Sequence, residues 1–371
     1  MSKKIRFCTL YLPCSNVELA KDVGQIPYTL SSLYNWDCSV AGCNINQDKL
    51  ENKELLNKIS IYNVKKVVNK EITGILFLLK NARKIDCINF YHGGRTVLYW
   101  SKLYHFLNPK GKVYLKLDMD FRLCDKYDNN QKERSIFRKT VESVDIVTVE
   151  SSAIRNRIQK YTDKKIELLS NGYQKIEKFT DLKKDNCFIT VGRLGTKQKA
   201  TEILLEAFSM SAPYHNWNLK LIGSVEESFK DYLRNFYKEN PELEQRIIFM
   251  GEIKNRNELY EEYCKSRVFV LPSMWESFGL VVGEALSCGC RVIVSDKVPP
   301  MEEFTNNHKY GEVVKAGDIK ELAKAMVDET YRNYDKIENE EIIQYARAKF
   351  SWEEICKTLY GLIMENGKDT I

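Results

Sequence analysis

Short β-rich runs alternate with longer amphipathic ones along all 371 residues, and no other feature of the sequence constrains the fold as strongly. A strand, a helix and a second strand return the chain in its original direction, so sustained alternation builds parallel sheets with helices on both faces. The expected strands of the first half are 5–11 (IRFCTLY), 38–45 (CSVAGCNI), 87–91 (CINFY), 112–117 (KVYLKL), 145–149 (DIVTV) and 166–170 (IELLS). Those of the second half are 187–191 (CFITV), 218–223 (NLKLIG), 246–250 (RIIFM), 267–271 (RVFVL) and 291–295 (RVIVS). Helical patterns fill the gaps; in 200–210, Ile203, Leu204, Ala207 and Phe208 fall on one face.

The length exceeds one ordinary core and suits two. The expected architecture is therefore α/β, with two doubly wound domains and a cleft between them. The polar segment 172–186 has little apolar periodicity and reads as the linker, dividing the chain into domains 1–178 and 179–349. Residues 350–371 contain a last helical stretch, 350–366, long enough to pack away from its own sheet. Periodicity does not say whether it returns to the first domain.

Composition narrows the class of protein. With 43% hydrophobic and 29% charged residues, the chain has enough apolar surface to fold and no bias towards disorder. The net charge of +6 is unevenly spread: residues 1–185 carry 33 Lys and Arg against 21 Asp and Glu, and the remainder is acidic. The basic half should attract an anionic surface such as acidic lipid, a phosphorylated acceptor or nucleic acid. Nucleic acid is disfavoured, because neither aromatic RNA-binding motifs nor a recognition helix accompany the charge.

The 11 cysteines are odd in number, and no apolar signal core follows the polar start MSKKIR, so they read as reduced thiols of a cytoplasmic protein. Neither Cys38/Cys43 nor Cys288/Cys290 has CxxC spacing or a nearby His, which argues against zinc. The longest apolar run, 72–79 (ITGILFLL), is far shorter than the ~20 residues of a membrane span. Any membrane contact is expected to be peripheral, at the inner face.

Ligands of open α/β sheets bind beyond the carboxyl ends of strands. After strand 187–191 stand Gly192, Arg193, Gly195, Lys197 and Lys199, ahead of a helix start. Fixed cations beside a helix N-terminus suit a diphosphate, though a solvated basic turn is the plain alternative. After strand 267–271 comes WESFGLVVGE, in which Ser277, Phe278, Gly279 and Leu280 open a helix and Glu276 and Glu284 flank it. The free N–H groups of such a start can face an anion, and Gly279 lets the backbone approach a ligand closely. A carboxylate repels phosphate but accepts hydrogen bonds from hydroxyls. Acids on both sides of an anion-binding start therefore suggest a ligand that is part phosphate and part polyol, such as a nucleotide sugar.

The pair GRLGTKQKATEILLEAF and PSMWESFGLVVGEALSCGCRVIVSD resembles the donor-binding half of retaining GT-B glycosyltransferases of the E-x7-E type, glycosyltransferase family 4. That resemblance implies two Rossmann-like domains facing a central cleft. It also implies that Glu276 contacts the transferred sugar, Glu284 holds the ribose, and Arg193 and Lys199 bind the diphosphate. Lys197 is a rival for the role of Lys199, which is followed by Ala200 where the family often has Gly. FMGEI (249–253) resembles the strand end whose backbone reads the base, through Gly251 and Ile253.

In the first half, KDVGQIPYTL resembles the family's glycine loop. Gly24 there is a backbone approach to the donor or simply a turn former, and Pro27 suits a first helical turn. FYHGGRT places His92 after a strand, with a catalytic or a structural role. In LKLDMD, Asp118 stands where many relatives have a His, and would contact the acceptor or act as a base. DMD also imitates a metal-binding DxD, but the Arg/Lys site makes a metal redundant, and no cofactor is expected beyond the nucleotide sugar itself.

The resemblance implies a metal-independent hexosyl transfer with retention, from a UDP- or GDP-sugar to a glycan, lipid-linked or polysaccharide acceptor. The competing expectations are a phosphorylase-like enzyme acting on sugar phosphates and an inactive partner subunit of the same fold.

Overall fold

The computed structural model describes residues 4–50, 53–173 and 182–365. They belong to two compact units, 1–172 together with 352–371, and 173–351. In the first unit the strands are β1 (Arg6–Leu10), β2 (Asp37–Gly42), β3 (Ile59–Asn63), β4 (Cys87–Tyr91), β5 (Lys112–Leu117), β6 (Ile146–Val149) and β7 (Glu167–Leu168). They form one sheet in the order β3-β2-β1-β4-β5-β6-β7, and every pairing is parallel. In the second unit β8 (Asp185–Val191), β9 (Asn218–Ile222), β10 (Ile247–Gly251), β11 (Ser266–Leu271), β12 (Arg291–Ser295) and β13 (Gly311–Val314) form a parallel sheet in the order β10-β9-β8-β11-β12-β13.

Parallel central strands are covered on both faces, so their residues are apolar without alternation. All five residues of β4 are buried, as are all five of β12. Each sheet accordingly has two cores. In the first unit one gathers Leu78, Phe90, Leu115 and Phe137, and the other Phe7, Ile26, Leu30 and Tyr114. The C-terminal helix Trp352–Glu365 joins the latter core through Trp352, Ile355, Cys356, Leu359 and Ile363, a helical spacing that sets one apolar face inward. Tyr360 stacks on Tyr34 with ring centroids 4.0 Å apart.

Several expectations are corrected. β3 and β13 were not anticipated, because each is an edge strand with mixed burial and no continuous apolar run. The run 38–45 stops pairing at Gly42, and 166–170 contributes only Glu167–Leu168. Pro27 lies inside the helix Asp22–Tyr34, not in its first turn. Residues 174–181 of the expected linker lie outside the described residues; the units divide at Gly172 and Tyr173, and β8 begins within the remainder of that segment.

Strand order reverses between β1 and β4 in the first sheet and between β8 and β11 in the second. In open sheets of this kind the loops leaving the strands at such a reversal part to opposite sides, and ligands bind in the crevice between them.

Candidate active site

Both motifs of the second half leave the reversal point of its sheet, one after β8 and the other after β11. Gly192 follows β8 directly, and a Cβ there would come within 3.1 Å of Lys199 Cε. The glycine therefore leaves room for the lysine stem to lie across the strand end. Lys199 Nζ donates to Glu276 Oε1 at 2.5 Å, Ser273 Oγ donates to the same oxygen at 2.8 Å, and Gln198 Nε2 reaches Oε2 at 3.4 Å. Glu276 is only 8% exposed, so these donors fix a desolvated carboxylate in one orientation.

Gln198 stitches the two loops together. Its amide also donates to the Trp275 carbonyl at 3.1 Å, its own backbone carbonyl accepts the Met274 N–H at 2.8 Å, and its side-chain oxygen accepts from Arg193 Nη2 at 3.3 Å. The end of β12 and the loop after it add support. Ser295 Oγ donates to the Ser273 carbonyl at 2.5 Å, and the Glu276 N–H donates to the Lys297 carbonyl at 3.3 Å.

Gly279 has φ +93°, a left-handed conformation in which a Cβ is strained, and it caps the helix Leu280–Ser287 without help from any side chain. Its carbonyl accepts the Val282 N–H at 2.9 Å. Phe278 is buried against Phe304 and Phe350 and anchors the loop, whereas Ser277 and Leu280 are half-buried. Glu284, one turn into the helix and 8% exposed, accepts from Arg256 Nη2 at 2.6 Å and from the Tyr263 hydroxyl at 3.2 Å. Burial and the Glu284 charge push the Tyr263 hydroxyl well above its ordinary range, so it stays a donor. Each carboxylate oxygen of Glu284 keeps capacity for a further hydrogen bond.

Arg193, Lys199 and Glu276 are thus brought together, with Gln198 as the hinge of the group. Lys197 is exposed, and it is Lys199 that meets Glu276. Gly251 ends β10 at φ +71° with its carbonyl accepting the Gly223 N–H at 2.8 Å, and Ile253 packs at the edge of the core that holds Phe278. Sequence reasoning missed Gln198, Ser273, Arg256 and Tyr263. Gln198 stands beside a named lysine, but nothing local marks the other three.

In the first unit, His92 and Asp118 follow neighbouring strands, and His92 Nδ1 lies 3.4 Å from the Asp118 carbonyl oxygen. His92 holds φ +59°, uncommon for a residue with a side chain, and its ring centroid is 6.0 Å from that of Tyr11. Gly24 is inside a helix, where a Cβ would meet the Leu19 carbonyl oxygen at 2.1 Å; close packing accounts for that glycine. Asp120 of DMD caps the helix Phe121–Asn129, accepting the Leu123 N–H at 2.9 Å. No group of three or more His, Cys, Asp or Glu among the described residues could hold a metal ion.

Beneath Asp118 lies a buried charge cluster that the sequence did not suggest. Lys116, fully buried in β5, donates to Glu150 Oε1 at 2.7 Å and stands 3.9 Å from Asp22. Asn171 Nδ2 donates to the same Glu150 oxygen at 2.7 Å, and Glu150 Oε2 has no hydrogen-bond partner within the protein. A second lysine, inside the strand and past Lys112 at its start, is the signal that was available.

Comparison with known proteins bears on the fold and on the second unit. Residues 173–349 match the family model described as glycosyl transferases group 1. A probable sucrose-phosphate synthase of Thermosipho melanesiensis is 28% identical over 47% of this chain and 40% of its own length. The chain therefore spans less than half of that curated relative. Among solved structures, the apo form of the lipopolysaccharide outer core galactosyltransferase WaaB superposes with TM-score 0.74 at 16% identity, covering 97% of this chain and 99% of that one. Anabaena HepE, solved in complex with UDP-glucose, gives TM-score 0.68 at 14% identity, covering 97% and 100%. At such identities the likeness is one of fold, two parallel-sheet Rossmann-like units of GT-B type. That family match spans nearly all of the second unit but just under half of the chain, so what it shows is the likeness of this unit to glycosyl transferases group 1.

Proposed function

We propose that the chain is a retaining, metal-independent glycosyltransferase that moves a hexose from a nucleotide-diphosphate sugar to a hydroxyl of a glycan or lipid-linked acceptor. The observation that carries this reading is the buried Glu276 carboxylate tied to Lys199 at 2.5 Å, at the reversal point of a parallel sheet and beside a helix start that no side chain caps. When a donor binds, Lys199 and Arg193 meet its diphosphate, the helix start adds N–H dipoles, Glu276 takes sugar hydroxyls and Glu284 the ribose. The acceptor oxygen bonds to the anomeric carbon as the bond to the diphosphate breaks. The electron pair leaves on the diphosphate, whose oxygen takes the hydroxyl proton. Fixed cations at that leaving group stabilise the charge that develops there.

A UDP-sugar is the favoured donor, supported by the UDP-glucose complex of a protein of like fold. WaaB, named as acting on lipopolysaccharide core, supports a lipid-linked glycan as acceptor. In the first unit, His92 and Asp118 are the residues proposed to face that acceptor.

Nucleotide release from UDP-, GDP- and ADP-sugars, measured with and without inorganic phosphate, tests the reaction class. Release of one nucleoside diphosphate independent of phosphate is expected. Turnover that requires phosphate and frees no nucleotide would assign the site to phosphorolysis instead. Retention is checked by the linkage of the product, which is expected to be α from an α-linked donor.

A further inference from the structure

Two neighbouring helices of the first unit, Lys70–Asn81 and Arg95–Leu107, turn apolar stripes to solvent. On the first, Thr73, Gly74, Phe77 and Leu78 are buried, yet the opposite side carries Ile72, Leu76 and Leu79, with Leu79 56% exposed. The helix is thus apolar on both faces, a pattern a water-facing helix has no reason to keep. On the second, Arg95, Tyr99, Lys102 and Phe106 recur at helical spacing along the outer face, and Phe106 is 81% exposed.

The stripes belong to one surface. A Cβ on Gly74 would fall 2.1 Å from the Trp100 ring, so the glycine brings the helices into close contact. Trp100 Nε1 donates to the Glu71 carbonyl at 3.1 Å near one end, and Arg83 Nε to the Leu107 carbonyl at 3.4 Å near the other. The two helices therefore run side by side over their whole length. Val67 and Val68, also exposed, extend the surface ahead of the first helix.

Charge selects the occupant. Residues 65–110 contain nine Lys and Arg and two acids. Of the acids, Glu71 accepts from Thr96 at 2.8 Å and Asp86 is held by Arg6 at 2.7 Å. A second copy of the chain would set like charges against each other across a two-fold axis. A bilayer with anionic headgroups instead receives the apolar tips in its interface and pairs the basic rim with phosphate. We propose that this two-helix face docks the first unit on an anionic membrane, with Ile72, Leu76, Leu79, Tyr99 and Phe106 inserted at headgroup depth.

This deepens the reading of a lipid-linked acceptor, but vesicle binding is measured without donor, and donor binding without vesicles. Co-sedimentation with phosphatidylcholine vesicles, with and without about a third phosphatidylglycerol, provides the test at about 50 mM and about 500 mM salt. Binding is expected only to the anionic vesicles at low salt. It should fall at least about fivefold in Leu79→Ser/Phe106→Ser and in Lys102→Glu, each with unchanged melting and unchanged nucleotide binding. No association with anionic vesicles at low salt, or association undiminished in both variants, overturns the proposal. So does self-association of the wild type that Leu79→Ser/Phe106→Ser abolishes while vesicles remain unbound.

Discussion

At the residue scale, the candidate site is a set of paired charges held by neighbouring loops and helices. Lys199 and Glu276 neutralise each other now, and a diphosphate would draw the ammonium while leaving Glu276 to sugar hydroxyls. Replacing Glu276 by Gln keeps the shape and removes the charge, so transfer should drop by about 10²–10³ while the melting temperature changes little. Full activity in Glu276→Gln would remove that residue from the chemistry. Gln198 acts through others. Gln198→Ala should raise the donor KM several-fold and spare much of kcat, because it loosens both loops without touching the reacting atoms. Steady-state kinetics separate the two effects.

Ala200 makes a different kind of claim. It caps the helix Thr201–Ser211 at φ +51°, where a Cβ costs about 1–2 kcal/mol. Ala200→Gly should therefore raise stability by somewhat less than that, since glycine also gains freedom when unfolded. Urea titration checks the sign; a loss of stability would mean that the Cβ packs usefully.

At the scale of elements, the fold was legible wherever strands are buried on both faces, because a continuous apolar run is then required. It was not legible at the edges. In β3 only Ile59 is buried, and β13 buries its two ends alone, so neither leaves a run in the sequence. The site divides the same way. Glu276, Gly279 and Lys199 lie on loops and Glu284 one turn into the helix that follows, and their order and spacing carry the motif. Ser273 is close by in sequence, but nothing there marks its hydroxyl as a partner of Glu276, while Arg256 and Tyr263 reach Glu284 from another helix, a contact set by tertiary packing. Gly74 was invisible for a related reason: its meaning depends on Trp100. Gly74→Val should destabilise the protein by about 1–3 kcal/mol, because a packed indole has to move aside. An unchanged urea midpoint would show that the two helices can part.

At the scale of the whole molecule, the buried cluster around Lys116 links stability to pH. Burial, together with the Asp118 and Asp22 charges and against the pull of Lys116, pushes the Glu150 carboxyl up to about 8. A carboxyl that holds its proton more tightly when folded contributes its full stability below its unfolded value near 4.5 and loses it as pH rises through about 8. Stability should therefore fall between those limits, by no more than about 1.4 kcal/mol per pH unit from this group. Glu150→Gln should flatten the profile, and a wild-type profile that rises over the same window would contradict the assignment. Above the pH at which Glu150 ionises, Lys116→Met should cost about 3–5 kcal/mol, since it leaves a buried carboxylate without its cation.

The second unit as a diphosphate site is the claim on which the functional account turns. Calorimetric titration with UDP, GDP and ADP measures it directly, with Lys199→Ala as the comparison. One nucleotide is expected to bind saturably at a single site, and about tenfold or more weakly when the Lys199 ammonium is removed. Saturable binding by none of the three, or equal affinity in Lys199→Ala, would contradict the account.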